Sequence, residues 1–316
     1  MTSVVALANN REMPSAHPMD DIPVRRLKFS VEDIGPGDVL WSRTDPRFSA
    51  FLNGLGLHVP HFERYLCRAL AKARPHITDA RLGADVDAII GQEAQHAKTF
   101  LKVNRALAAR YPKAESFDTA AGEDFRRRAE VDDLRRAVGF TAGYETFTFL
   151  AGLIILDNHD RWFADAHPVM KAIWVWHQVE EVEHGAVAFE VWQHLYPGQE
   201  AYRRRMIVEA LVHIAAETAR AYWHMARVEG WIRGPLTAVR EVGYCFGMLG
   251  RLLWRALPVF RKSYHPRRHP LVNHAQNPIQ VAWRRYFLNE GDVLKLDHAR
   301  MARMMGIADE ASVHAA

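Results

Sequence analysis

Two Glu-x-x-His motifs, Glu93-Ala-Gln-His96 and Glu181-Val-Glu-His184, lie inside helical stripes that are otherwise apolar. On a helix, residues three apart share a face, so each motif aims a carboxylate and an imidazole at one point. Glu93 belongs to the row Val86, Ile89, Ile90, Glu93, Ala97, Phe100, Leu101. Glu181 belongs to Ile173, Trp174, His177, Glu181, His184, Ala188. An ionised carboxylate in an apolar interior is very costly unless it is paired or holds a metal. A chain with this pattern must therefore fold so that its core supplies the missing positive charge.

Each motif follows a helical pattern with another Glu on or beside its apolar stripe. Glu63 stands 30 residues before Glu93, and Glu145 stands 36 before Glu181. Two helical hairpins thus present the same set twice. Four carboxylates facing one another oppose folding, since like charges raise each other's pKa. Two divalent cations balance the four charges while the imidazoles bind neutral. The expected metal ligands are Glu63, Glu93, His96, Glu145, Glu181 and His184, with Glu93 and Glu181 as the catalytic, metal-bridging carboxylates. This is the ligand set of ferritin-like di-iron and di-manganese bundles. His177, one turn before Glu181, is expected to orient a ligand by a hydrogen bond from behind it. Glu180 and Glu183 are expected on a solvated or salt-bridged face. The register that would use them as ligands breaks the symmetry with Glu93 and His96. Tyr65, Tyr144, Trp174 and Trp176 read as core aromatics rather than redox groups.

The fold class that follows is all-α, a ferritin-like four-helix bundle with additional C-terminal helices. Periodicity places bundle helices at about 60–72, 80–110, 131–157 and 166–195, with a polar stretch at 111–132 between the hairpins. Tyr196-Pro197-Gly198 is a stop signal. The expected organisation is a flexible arm and extended lead-in (1–45), the bundle (46–197), and a helical extension and tail (198–316). Helices at 199–230 and 235–260 would cover substrate or form a homodimer.

Composition narrows the function classes. A balance of 41 Lys+Arg against 37 Asp+Glu leaves +4, too little to argue for nucleic acid. Cys67 and Cys245 form no CxxC or Cys/His cluster, which excludes a thiolate zinc site and suits a reducing cytoplasm. No export signal and no run of 18 apolar residues is present. Residues 251–268 hold six Lys/Arg and no acid. A packed face with a solvated basic edge is expected there, ahead of peripheral membrane contact. His265, His269 and His274 cluster beyond it with no standard metal spacing.

The segments IIGQEAQHAKTFLKVN (89–104) and WHQVEEVEHGAVAFEVW (176–192) resemble the signature blocks of the bacterial "predicted metal-dependent hydrolase" family, a ferritin-like group, and the resemblance spans roughly 45–270. It implies Glu93, His96, Glu181 and His184 as ligands, completed by Glu145 in YETFTF and Glu63 in HFERY. HFERY departs from the family's usual Gly-Glu-Arg form. Two Fe ions are the expected cofactor, with Mn, mixed Fe/Mn or Zn as alternatives. The expected activity is dioxygen-dependent oxidation of a small, hydrophobic organic substrate. The alternative is hydrolysis by a metal-bridging hydroxide, and iron storage ranks third because the chain is too long for a minimal storage bundle.

Overall fold

Local capping chemistry sets most helix starts. In the computed structural model, which describes residues 17–272, 277–290 and 295–296, helix α1 (Pro46–Gly56) opens on Asp45, whose side chain accepts from the Phe48 amide, with Pro46 in the first turn. Asp79 caps α3 (Ala80–Ala108) through the Leu82 amide, and Asp133 caps α5 (Leu134–Asp157) through the Arg136 amide. Each satisfies an amide that the first turn leaves without an intrahelical partner. Pro60 and Pro168 sit in the opening turns of α2 (Val59–Ala73) and α7 (Pro168–His184), where proline costs nothing. The remaining helices are α4 (Ala114–Val131), α6 (His159–Trp162), α8 (Val187–Leu195), α9 (Glu200–Val228), α10 (Pro235–Ala256) and α11 (Pro278–Glu290). A two-residue parallel pairing of Lys28–Phe29 with Lys295–Leu296 is the sheet among the described residues.

The bundle core is α2 against α3 and α5 against α7, with α2 also packed on α5. This all-α arrangement is compatible with a ferritin-like bundle. Close approach at the centre depends on Gly152 of α5: a Cβ there would lie 3.0 Å from the Gln178 carbonyl and 3.5 Å from the Glu181 Cβ. Helix α5 is long and apolar enough to cross a membrane, yet 89% of its most apolar stretch is buried, as befits the central helix of a bundle.

Three expectations need correction. The polar stretch 111–132 contains α4, in which Ala114, Ala121 and Phe125 alone are buried. So thin a stripe leaves no periodicity to read. The helix expected at 166–195 breaks into α7 and α8 at Gly185, where the Phe149 ring would stand 2.6 Å from an added Cβ. The lead-in, expected as flexible through residue 24, is tied down from at least Met19, which is 1% exposed; Arg25, Leu27 and Phe29 are buried too. Its hydrophobic positions are few, and their packing partners are remote in sequence. Residues 1–16 lie outside the described residues.

The C-terminal helices pack directly on the bundle. α9 runs along α5 and α1, and α10 lies on α5 and α9. Between α1, α5, α6, α9 and α10 is a cavity of about 470 Å³, walled by groups such as Phe51, Phe147, Ile214, Leu249 and Leu252. Helix α7 has no part in it, because Trp174 and Trp176 of α7 pack on His177 and His96 instead. His265 and His269 make local and backbone hydrogen bonds, the latter donating to the Arg255 carbonyl at 3.0 Å. His274 lies outside the described residues.

Candidate metal centre

All six sequence-expected ligands are buried at the centre of the bundle, and His177 is buried with them. Two groups form. Glu63, His96, His177 and Glu181 offer donor atoms within 4.8 Å of one another, and so do Glu93, Glu145, Glu181 and His184. Glu181 belongs to both. Glu93 also spans them, with Oε2 3.2 Å from His96 Nδ1 and Oε1 3.0 Å from His184 Nε2. Helical spacing explains the convergence: Glu93 and His96 share one face of α3, while His177, Glu181 and His184 share one face of α7.

His177 was expected to orient a ligand by a hydrogen bond. Its Nε2 lies 3.0 Å from Glu63 and 3.1 Å from Glu181, at hydrogen-bond distance from both and among the donor atoms of the first group. The i, i+4 relation to Glu181 puts it on the inward face. Gln178 stands behind it, its amide nitrogen donating to Nδ1 at 2.8 Å, which puts the proton of the neutral ring on Nε2, facing Glu63 and Glu181.

The outward nitrogens of the other two imidazoles are also held. His96 Nε2 donates to Glu180 at 2.9 Å, which leaves Nδ1 facing the carboxylates. His184 Nδ1 donates to Gln92 Oε1 at 2.9 Å, which leaves Nε2 facing them. Such outer hydrogen bonds fix the tautomer and aim the lone pair of a metal-binding His. Glu180 and Glu183 are therefore salt-bridged, as one branch of the expectation had it, but not solvated; neither has any exposed side-chain surface. Arg25 donates to Glu180 at 2.7 Å and to Glu183 at 2.8 Å; Arg284 of α11 reaches Glu183 at 3.0 Å. Gln92 donates its amide to Glu183 and closes the ring of contacts. Sequence reading missed Gln92, Gln178, Arg25 and Arg284. The two glutamines adjoin the motifs and were findable there. The arginines were not, because Arg25 lies 155 residues from Glu180.

The donor set fits a pair of cations. Glu63 Oε2 is buried with no hydrogen-bond partner. Glu93, Glu145 and Glu181 crowd the single His184 Nε2 at 3.0, 3.2 and 3.3 Å, and that nitrogen has at most one proton to give. Burial, reinforced by Glu181, pushes Glu145 up to about 8. Burial and Glu93 likewise raise Glu63 well above the carboxylate range. Burial also pushes Glu93 up, but His184 and His96 outweigh it and hold that carboxyl at about 2. His177 is driven down to about 3 by burial, which Glu181 opposes, and so stays neutral. Without metal the cluster keeps protons that two divalent ions would displace.

Thr148 links the centre to the cavity. It lines the cavity wall, and its hydroxyl lies 3.3 Å from Glu145 Oε1. Tyr144, also on that wall, shares a 2.6 Å hydrogen bond with His58. Tyr65 donates to Asp132 at 2.7 Å and faces away from the site.

No curated protein and no solved structure matches the chain. One family model does, over residues 23–270, a span that runs from the lead-in carrying Arg25, through both Glu-x-x-His helices, to the loop beyond α10. With its doubled motif, buried carboxylate/imidazole groups and helical bundle, the chain belongs to the family described as predicted metal-dependent hydrolase.

Proposed function

We propose that this chain is a dinuclear metalloenzyme that uses dioxygen to oxidise an apolar organic substrate. Glu63, Glu93, His96, Glu145, His177, Glu181 and His184 hold two iron ions, and Glu181 is the shared carboxylate. The observation that carries this reading is a dry site: two buried donor groups share Glu181 and meet, through Thr148, a cavity walled by hydrocarbon. Four carboxylates and three neutral imidazoles without thiolate suit iron or manganese. Two ferrous ions, when bound in this set, would supply electrons to dioxygen, a small apolar gas that an apolar cavity admits readily. The protein's own part is to exclude water, to orient the substrate's hydrocarbon between α5 and α10, and to keep the imidazoles aimed through Glu180, Gln92 and Gln178.

The family description favours a second reading, hydrolysis of an ester, amide or phosphate by water made acidic between the metals. The comparison supports that class, whereas the donor set and the apolar wall support oxidation. Anaerobic ferrous loading followed by air separates them. Oxidation predicts dioxygen uptake and a ferric absorption band; hydrolysis predicts turnover of an ester indifferent to oxygen. Metal analysis tests the site beneath both readings. About two metals per chain are expected, and Glu93→Ala and Glu181→Ala should each lose metal. Full occupancy in both variants would overturn the site.

A further inference from the structure

Helix α10 has two apolar faces. The inner one, with Leu249 and Leu252, walls the cavity. The outer one leaves Leu236 88%, Val239 69%, Phe246 67% and Trp254 72% exposed. The positions 236, 239, 243, 246, 250 and 254 recur at three- and four-residue steps, so they form one stripe. The glycines in it, Gly243 and Gly250, have nothing within 4 Å of an added Cβ. Folded monomers seldom leave so long an apolar stripe in water without a use for it. At 251–268 the burial agrees with the expected packed face and solvated basic edge, since Ala256 and Val259 are buried while Arg251, Arg255, Arg261 and Lys262 are exposed; the stripe from Leu236 to Trp254 lies apart from that packed face.

The charge around the stripe says what would cover it. Arg251, Arg255, Arg261 and Lys262 are exposed at its C-terminal end. No Asp or Glu occurs from 242 to 270. The nearest acid in sequence, Glu241, is buried and taken by Arg47 and Tyr222, and Asp157 lines a hollow beside Arg251, Trp254 and Arg255. A second copy of the chain laid on this face would bring a strong excess of cations to cations. An anionic bilayer surface satisfies both halves: headgroups neutralise the arginines, and the acyl boundary takes up Leu236, Phe246 and Trp254. Trp254 beside Arg251 and Arg255 is also the pairing of aromatic and basic groups that suits the headgroup level.

We propose that α10 docks the protein on an anionic lipid bilayer, with its outer stripe in the interface. The docking stands apart from the metal reading. It deepens that reading in one respect: Val242 and Phe246 are exposed and also line the cavity, so its mouth lies at the edge of the docking stripe. A lipid-borne hydrocarbon chain could then enter without crossing water.

Flotation of the metal-loaded full chain with vesicles tests this. Vesicles of phosphatidylcholine mixed with phosphatidylglycerol should carry the protein up, and phosphatidylcholine alone should not. Charge reversal in Arg251→Glu/Arg255→Glu should weaken binding by at least about tenfold. Trp254→Ser with Leu236→Ser should weaken it comparably while circular dichroism and metal content stay unchanged. Because those measurements are independent of lipid, misfolding and lost docking are told apart, and a failed metal site would leave flotation intact. Equal behaviour on both vesicle types, or no association with either, overturns the proposal. A dimer in light scattering that Trp254→Ser converts to monomer, without vesicle binding, also overturns it and assigns the face to a second copy.

Discussion

Helices α7 and α10 invert one another. α7 buries every residue from Val169 to His184, among them Glu180, Glu181, Glu183, His177 and His184. α10 buries two of its 22 residues and leaves hydrocarbon in solvent. Each breaks the usual partition of polar and apolar groups, in opposite directions. Buried charge is tolerable only where other charge meets it, so α7 is surrounded by Arg25, Arg284, imidazoles and a pair of cation-sized donor groups. Exposed hydrocarbon is tolerable only where something other than water meets it. The two helices carry the two proposals made above: ions at the centre, a lipid surface at the edge.

The comparison can be broken at α7 first, where the effects are largest. Arg25→Ala leaves buried Glu180 with His96 alone and Glu183 with Arg284 and Gln92. A loss of about 3–5 kcal/mol is expected in denaturant titration, because an unpaired buried charge costs far more than the pair contributes. Arg284 still reaches Glu183 and should keep the loss from exceeding that range. Glu180→Gln keeps the shape beside His96 but removes the charge. Metal affinity should fall by about 10–100-fold in competition with a chelator, the usual effect of altering a group that orients a ligand.

Removing metal sharpens the same contrast through pH. Glu145 is raised to about 8 chiefly by burial. His184 is raised as well, by Glu93 and Glu181 against the opposing effect of burial. A group with a raised folded pKa stabilises at low pH and loses that contribution as pH climbs to its folded value. His177 has the opposite sign, but above its ordinary value of 6.5 it is neutral in both states and drops out. Metal-free protein should therefore lose thermal stability as pH rises from 6.5 to about 8. Metal-loaded protein should not, because the cations hold those sites deprotonated throughout. At α10 the expected effect on stability is smallest. Leu236→Ser, at a position 88% exposed, should shift unfolding by no more than about 0.5 kcal/mol.

The centre was legible in the sequence because it is built from helical spacing. Glu63, Glu93, His96, Glu145, Glu181 and His184 each sit on a stripe whose period can be read without knowing the fold. His177 was visible on the same stripe, but i, i+4 spacing cannot distinguish a metal donor from its support. The contacts of Glu180 and Glu183 were not legible, since Arg25 and Arg284 come from opposite ends of the chain. α4 escaped because three buried residues in 18 make no pattern. The site of the cavity escaped for a related reason: its walls come from five helices, and periodicity describes one helix at a time.

The double hold on Glu183 has a consequence for the order of events in synthesis. Arg25 belongs to one end of the chain and Arg284 to the other, and both must be in place before the charge beside the motif of α7 is fully met. A nascent chain that has emerged only as far as α8 has every donor of the centre and Arg25, but not Arg284. The first metal ions to arrive would then meet a cluster held from one side. Tight capture would wait for α11, so metal insertion is expected to follow the synthesis of that helix.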